Sequence, residues 1–176
     1  AWIKGIYSAT RKYHIQKIIS VIQGDCSNNE ELMEIFQSEG ITTIPFAYPH
    51  DKTDTSFLHD QLIKLADNLG VPYSKAEEMK KHLDVIRARV HKIDGLTWKE
   101  DTVTGEENHI WTVSTSDLMG DYTTFEERAI KFLKLAQERE PIRHDLRIGV
   151  IGIPPICEDL YPFLSSIGAH VVFNEI

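Results

Sequence analysis

Cysteine is scarce in this chain: 176 residues hold two, Cys26 and Cys157. That excludes a disulfide-stapled scaffold and points to a reducing compartment with free or metal-bound thiols. No apolar run approaches the roughly 20 residues that span a bilayer, and the opening Ala1-Trp2-Ile3-Lys4-Gly5 lacks the pattern of a signal peptide. The expectation is therefore a cytoplasmic protein with no membrane partner. Clustered basic charge is missing too. With a net charge of −8 and scattered Lys and Arg, nucleic acid is disfavoured as a partner. Several motifs are absent. There is no C-x-x-C pair for a local zinc site, no H-E-x-x-H among the eight His, and neither a dinucleotide fingerprint nor a Walker loop.

What is present suits an ordinary core-forming α/β protein, with 41% hydrophobic and 26% charged residues. Two segments look alike. One runs from Lys17-Ile18-Ile19-Ser20-Val21-Ile22 through Gly24-Asp25-Cys26-Ser27 and a helical pattern to Gly40, then returns as Ile41-Thr42-Thr43-Ile44-Pro45-Phe46. The other runs from Arg147-Ile148-Gly149-Val150-Ile151-Gly152 through Pro154-Pro155-Ile156-Cys157 and a helical pattern to Gly168, then Ala169-His170-Val171-Val172-Phe173. Each reads as strand, loop, helix, glycine stop, strand, and the first strand reads as a buried parallel one. Ser27-x-x-Glu30 forms a capping box ahead of Leu32, Met33, Ile35 and Phe36, the expected inner face of that helix. A helix over about 56–69 follows, with Leu58, Leu62, Leu65 and Leu69 inward.

The middle changes character. Met79, Leu83, Ile86, Val90 and Ile93 step by 4, 3, 4, 3, the stripe of a helix packed on another helix. Ser74-x-x-Glu77, Thr104-x-x-Glu107 and Thr124-x-x-Glu127 are expected to cap three helices, the last running to about Glu140 before Pro141. Three segments result: a first Rossmann-like βαβ lobe over 1–73, a helical insert over 74–142, and the start of a second lobe over 143–176. Either the two βαβ units share one small sheet or neighbouring strands come from sequence outside this chain, and the second is favoured. Without an initiator Met, opening in a helical pattern and stopping after a strand, the chain is expected to be a piece of something longer.

Cys26 is the best placed candidate for chemistry. It follows a strand and precedes a helix start, where free N–H groups and the helix dipole lower a thiol's pKa. It is compatible with three roles: a ligand to iron or zinc, a nucleophile or redox thiol, or a small residue fitting a turn. Any metal would need ligands from distant parts of the fold or another chain. Cys157 falls in the expected first turn of its helix, with Pro155 at the helix start, and reads as a core or turn residue. Pro154 and Pro155 remove N–H donors that a phosphate cradle would use, which argues against a nucleotide site after Gly149-x-x-Gly152. His59 and His82 read as solvated or satisfied residues on helix faces, and Asp25 as a loop cap. The pairs Glu77-Glu78, Glu106-Glu107 and Glu126-Glu127 are expected in first helical turns, favoured by the helix dipole rather than by catalysis.

Lys4-Gly5-Ile6-Tyr7-Ser8, Gln23-Gly24-Asp25-Cys26-Ser27-Asn28, Thr43-Ile44-Pro45-Phe46-Ala47-Tyr48-Pro49, and Arg147-Ile148-Gly149-Val150-Ile151-Gly152 with Gly168-Ala169-His170-Val171-Val172 occur in this order. Taken together, they resemble the D-component family of 2-hydroxyacyl-CoA dehydratases, which also contains benzoyl-CoA reductase subunits. The resemblance covers most of the chain and rests on order and spacing rather than on one motif. It implies a two-lobed Rossmann-like subunit, with an oxygen-sensitive 4Fe–4S cluster held between the lobes by cysteines. It further implies a paralogous subunit or self-association, an ATP-dependent activator that delivers one electron, and an acyl-CoA substrate dehydrated through a ketyl radical. Cys26 matches the family's ligand after the first strand. The usual Cys-Asp order is departed from here, since Ser27 follows and Asp25 precedes. The remaining family cysteines would lie before Ala1 or shortly after Phe173, so this chain alone is not expected to be a competent lyase. The alternative is a small-molecule-binding or scaffold member of the same fold without a cluster.

Overall fold

The computed structural model describes residues 2–24, 28–153, 155 and 157–175. The chain is mixed α/β and divides into two compact units, residues 1–78 and 79–176, the boundary falling inside its longest helix.

The first unit contains α1 (Trp2–Lys12), β1 (Lys17–Gln23), α2 (Asn28–Ser38), β2 (Thr42–Ala47), α3 (Thr55–Leu69) and the start of α4 (Tyr73–Trp98). β1 and β2 pair in parallel from Lys17 with Thr42 to Gln23 with Ala47, with one irregularity between Val21 and Gln23. Gly40 has φ of +79°, which lets the chain reverse while Ile41 N–H donates to the Phe36 carbonyl at 2.9 Å. The return into β2 is thus set by a residue without a Cβ. Leu32, Phe36, Ile44 and Phe46 are buried and form the small core.

Several expected apolar positions do not reach that core. None of β1 is fully buried, and Ile19 is 49% exposed. Ile35, Leu62 and Leu69 are exposed as well, with Ala66 the buried residue of α3. The physical reason is width. A two-stranded sheet is too narrow to cover every apolar face of the helices that cross it.

The second unit contains the rest of α4, then α5 (Gly105–Val113), a 3₁₀ turn (Leu118–Gly120), α6 (Tyr122–Gln137), β3 (Leu146–Ile151), α7 (Leu160–Ser166) and β4 (Ala169–Glu175). β3 and β4 pair in parallel, with a shift between Ile148 and Gly149. Among the described residues the four strands therefore form two separate pairs rather than one shared sheet. Ile86 and Val90 of α4 pack with Leu118 and Phe125. One turn on, Ile93 packs with Val103, Ala129 and Ala136, and Trp111 touches both clusters. The predicted stripe is thus the core of this unit from Ile86 onward, while Met79 is 42% exposed.

Capping follows the sequence at one place and departs from it at two. Thr104 and Glu107 make the expected reciprocal box. α4 starts at Tyr73, so Ser74 lies inside it, and Lys75 N–H donates to the Pro72 carbonyl. α6 starts at Tyr122 because Asp121 caps it, accepting from Thr123 and Thr124 N–H; the Thr124 hydroxyl also donates to Asp121. Asp outcompeted Thr because a carboxylate accepts several donors at once at the positive end of a helix. These earlier starts move Glu77, Glu78, Glu126 and Glu127 out of the first turn, where only Glu106 and Glu107 remain. Glu78 instead pairs with Lys75 at 2.7 Å, and Glu126 with Arg89 at 2.9 Å. The capping box expected at Ser27 lies outside the described residues.

Candidate functional site

The connection from β1 to α2 carries Cys26, yet Asp25, Cys26 and Ser27 lie outside the described residues. What is described is the frame on either side: β1 ends at Gln23 and α2 opens at Asn28. Cys157 is described. It is a free, exposed thiol that precedes α7 rather than lying in its first turn, and its carbonyl accepts from Leu160 N–H at 3.3 Å. Pro155 likewise lies ahead of the helix, whose N-cap position is Asp159. Among the described residues no three His, Cys, Asp or Glu side chains converge as a metal site.

Sequence reasoning missed a polar cluster in the second unit. A cleft of about 240 Å³ opens beside the carboxyl end of β4, bounded by α4, the end of α5 and β4 itself. Arg87, Val90, His91 and Asp94 line it from one face of α4, since steps of three and four residues share a helix face. Thr112 and Thr115 close one side, and Phe173 and Asn174 the other. The carboxyl ends of parallel strands are where open α/β sheets collect ligands.

Behind the cleft runs a chain of hydrogen bonds. Tyr161 OH donates to Asn174 Oδ1 at 2.8 Å, and Asn174 Nδ2 donates to Asn108 Oδ1 at 2.8 Å and to the Gly105 carbonyl at 3.1 Å. Asn108 Nδ2 then donates to Asp94 Oδ1 at 2.9 Å and to Thr97 Oγ1 at 3.1 Å. Asn108 is wholly buried, and all its amide hydrogens and its carbonyl are engaged. A buried polar network of this kind is tolerable only when satisfied, and it then fixes geometry. Here it fixes the Asp94 carboxylate at the cleft wall. Burial pushes the Tyr161 hydroxyl above its ordinary value, and Glu106 adds to the rise. Tyr161 therefore stays a donor.

A second cluster surrounds His170, which is 4% exposed. Its Nε2 lies 3.2 Å from the Thr97 carbonyl and 3.5 Å from Asp101 Oδ1. Arg147 Nη1 donates to both Asp101 oxygens, at 3.0 and 3.1 Å, and its Nη2 donates to the Trp98 carbonyl. His144 stacks at an angle against His170, ring centres 5.2 Å apart. Burial holds His170 below the usual imidazole value; Thr97 and Asp101 oppose this, while His144 and Arg147 reinforce it. All these contacts tie β3, β4 and the end of α4 together, which makes the cluster structural. His59 and His82, as expected, are exposed, each edge-on to a tyrosine, Tyr73 and Tyr122 respectively.

The cleft was illegible in the sequence because its residues come from three places in the chain, 87–94, 112–115 and 173–174. The one local signal is the spacing of Arg87, His91 and Asp94, polar side chains on the same helix as the apolar stripe and bordering it. Compared with models of protein families, with curated proteins and with solved structures, the chain matches none.

Proposed function

We propose that this chain is part of a 2-hydroxyacyl-CoA dehydratase-like iron–sulfur subunit, in which Cys26 supplies one thiolate to a 4Fe–4S cluster and an acyl-CoA thioester is activated by one electron. The observation that supports this reading is the repeated parallel strand–helix–strand unit with Cys26 in the connection between β1 and α2. That connection sits at the carboxyl end of a parallel strand, where ligands of such sheets gather. The family resemblance of the ordered segments adds to it.

The donor set of this chain does not complete such a cluster. About three or four thiolates are needed, and the sequence holds two cysteines, of which Cys157 is exposed and far along the chain. On this reading the other thiolates belong to sequence outside these 176 residues or to a paralogous subunit, and an ATP-dependent activator is the electron source. No chemical step is assigned to the residues described here. A second reading, a small-molecule-binding member of the same fold without a cluster, is favoured by the polar cleft of the second unit.

Iron and acid-labile sulfide, measured on the intact protein and any co-purifying subunit isolated without oxygen, separate the two. About four irons with broad visible absorbance, lost in Cys26→Ala, is the expected result. Iron absent from both proteins under strict anaerobic handling would overturn the dehydratase reading and leave the binding one.

A further inference from the structure

The polar groups of the cleft are unequal in what they can still offer. Thr112 Oγ1 donates its hydrogen to the Asn108 carbonyl at 2.8 Å, and Thr115 Oγ1 donates to the Thr112 carbonyl at 2.7 Å. Both hydroxyls therefore face the cleft as acceptors. Asn174 has both amide hydrogens committed, leaving only acceptor capacity. Asp94 accepts one hydrogen bond from Asn108 through Oδ1, and Oδ2 has no hydrogen-bond partner among the described residues. Asp94 and Asn174, joined through Asn108, thus offer acceptors and no donor at this end of the cleft.

The other end is the reverse. Arg87 lies two helical turns before Asp94, an axial rise of about 10 Å. Its only ion pair among the described residues is a long one, 3.5 Å to Asp84, which has a closer partner in Lys80 at 2.5 Å. Between the two ends sit Val90, almost wholly buried, and Phe173, which is half exposed. The cleft is therefore negative and accepting beside Asp94 and positive beside Arg87, with the apolar Val90 and Phe173 and the His91 imidazole between them. Its volume of about 240 Å³ is below the roughly 300–1,000 Å³ of drug-sized ligand sites.

We propose that this cleft binds a small zwitterion with its ammonium and carboxylate separated by a short aliphatic chain, an ω-amino acid in chemical class. The ammonium donates to Asp94, with the Asn174 side-chain oxygen as a further acceptor; the carboxylate meets Arg87; the methylenes lie against Val90 and Phe173. The buried Asn108 acts as a positioning residue by orienting Asp94 from behind. This inference goes beyond the dehydratase reading and does not depend on it, because no residue of the cleft lies near Cys26 in sequence and no cluster takes part.

Titration calorimetry of the full chain with ε-aminocaproate, caproate and hexylamine tests it. The zwitterion is expected to bind at least about tenfold more tightly than either monopolar analogue, a difference of about 1.4 kcal/mol. Asp94→Asn, which preserves shape, is expected to abolish binding of ε-aminocaproate and hexylamine alike. Arg87→Gln is expected to bring ε-aminocaproate down to the level of hexylamine while leaving hexylamine unchanged. No binding of ε-aminocaproate to the wild-type protein overturns the proposal, as does binding that survives Asp94→Asn. Caproate matching the zwitterion would mean a simple anion site and overturn it equally. The iron measurement is independent of all three results.

Discussion

A methyl group has opposite consequences at two glycines of the second unit. A Cβ at Gly105 would stand 2.4 Å from the Val171 Cβ and 2.8 Å from its carbonyl oxygen, so α5 and β4 meet here at a distance only glycine permits. A Cβ at Gly95, in the interior of α4, meets nothing within 4 Å. Gly105→Ala is expected to destabilise by about 1–3 kcal/mol, the usual range for overpacking. Gly95→Ala is expected to stabilise by about 0.5–1 kcal/mol, through the lower entropy cost of fixing Ala in a helix. Urea unfolding of both variants beside the wild type checks the pair, and a Gly105→Ala midpoint equal to wild type would contradict the close packing. Both glycines look alike in the sequence. Only the position of Val171 tells them apart.

At the scale of elements, the connections around β3 and β4 depend on a neutral His170. Its folded-state value is lowered, mainly by burial, so the unfolded chain binds the proton more readily. The stability it contributes is therefore complete above the unfolded value of about 6.5 and is lost as pH falls through the folded value. Burial lowers His109 too, against the pull of Glu106, and the effect has the same sign. Glu107 acts in a more acidic window. Burial pushes its carboxyl up, but hydrogen bonds from Arg139 and Thr104 outweigh this and hold it below the ordinary value. Its contribution is present above about pH 4.5 and is lost only below that. Wild-type stability is expected to fall as pH drops below about 6.5, and less so in His170→Gln, which carries no titratable group. An equal loss in the two proteins would remove His170 as the cause.

Helix starts show how far local chemistry could be read. Thr104 and Glu107 cap α5 as their spacing predicts, because nothing nearby competes. Thr124 has the same spacing to Glu127 and does not cap α6, because Asp121 stands three residues earlier and serves two N–H groups. The pattern alone could not rank a hydroxyl against a carboxylate already in position.

Across the whole molecule the burial is uneven. Of the seven largest fully buried side chains among the described residues, Phe36 alone belongs to the first unit; Phe125, Ile86, Ile93, Val103, Asn108 and Thr97 belong to the second. Amide protection follows buried packing, since local opening is cheapest where few contacts must break. Hydrogen exchange is therefore expected to be slowest over 86–97 in α4 and 125–136 in α6, and much faster in β1. Exchange in β1 as slow as in those helices would show that it is covered by more than its two-stranded sheet provides.

The order of elements, the parallel pairing of strands across helical crossovers and the apolar stripe from Ile86 to Ile93 were determined by the sequence itself. Each rests on periodicity or on glycine and capping chemistry that acts within a few residues. The tertiary structure decided which apolar faces are covered, because that depends on sheet width: two strands leave Ile19 and Ile35 in solvent although their pattern is that of core residues. It also decided the cleft. Arg87, Asp94, Thr112 and Asn174 become neighbours only when α4, α5 and β4 pack, and the fully satisfied Asn108 between Asp94 and Asn174 has no local signature at all. A charge is legible in a sequence, whereas the partner that orients it belongs to the fold.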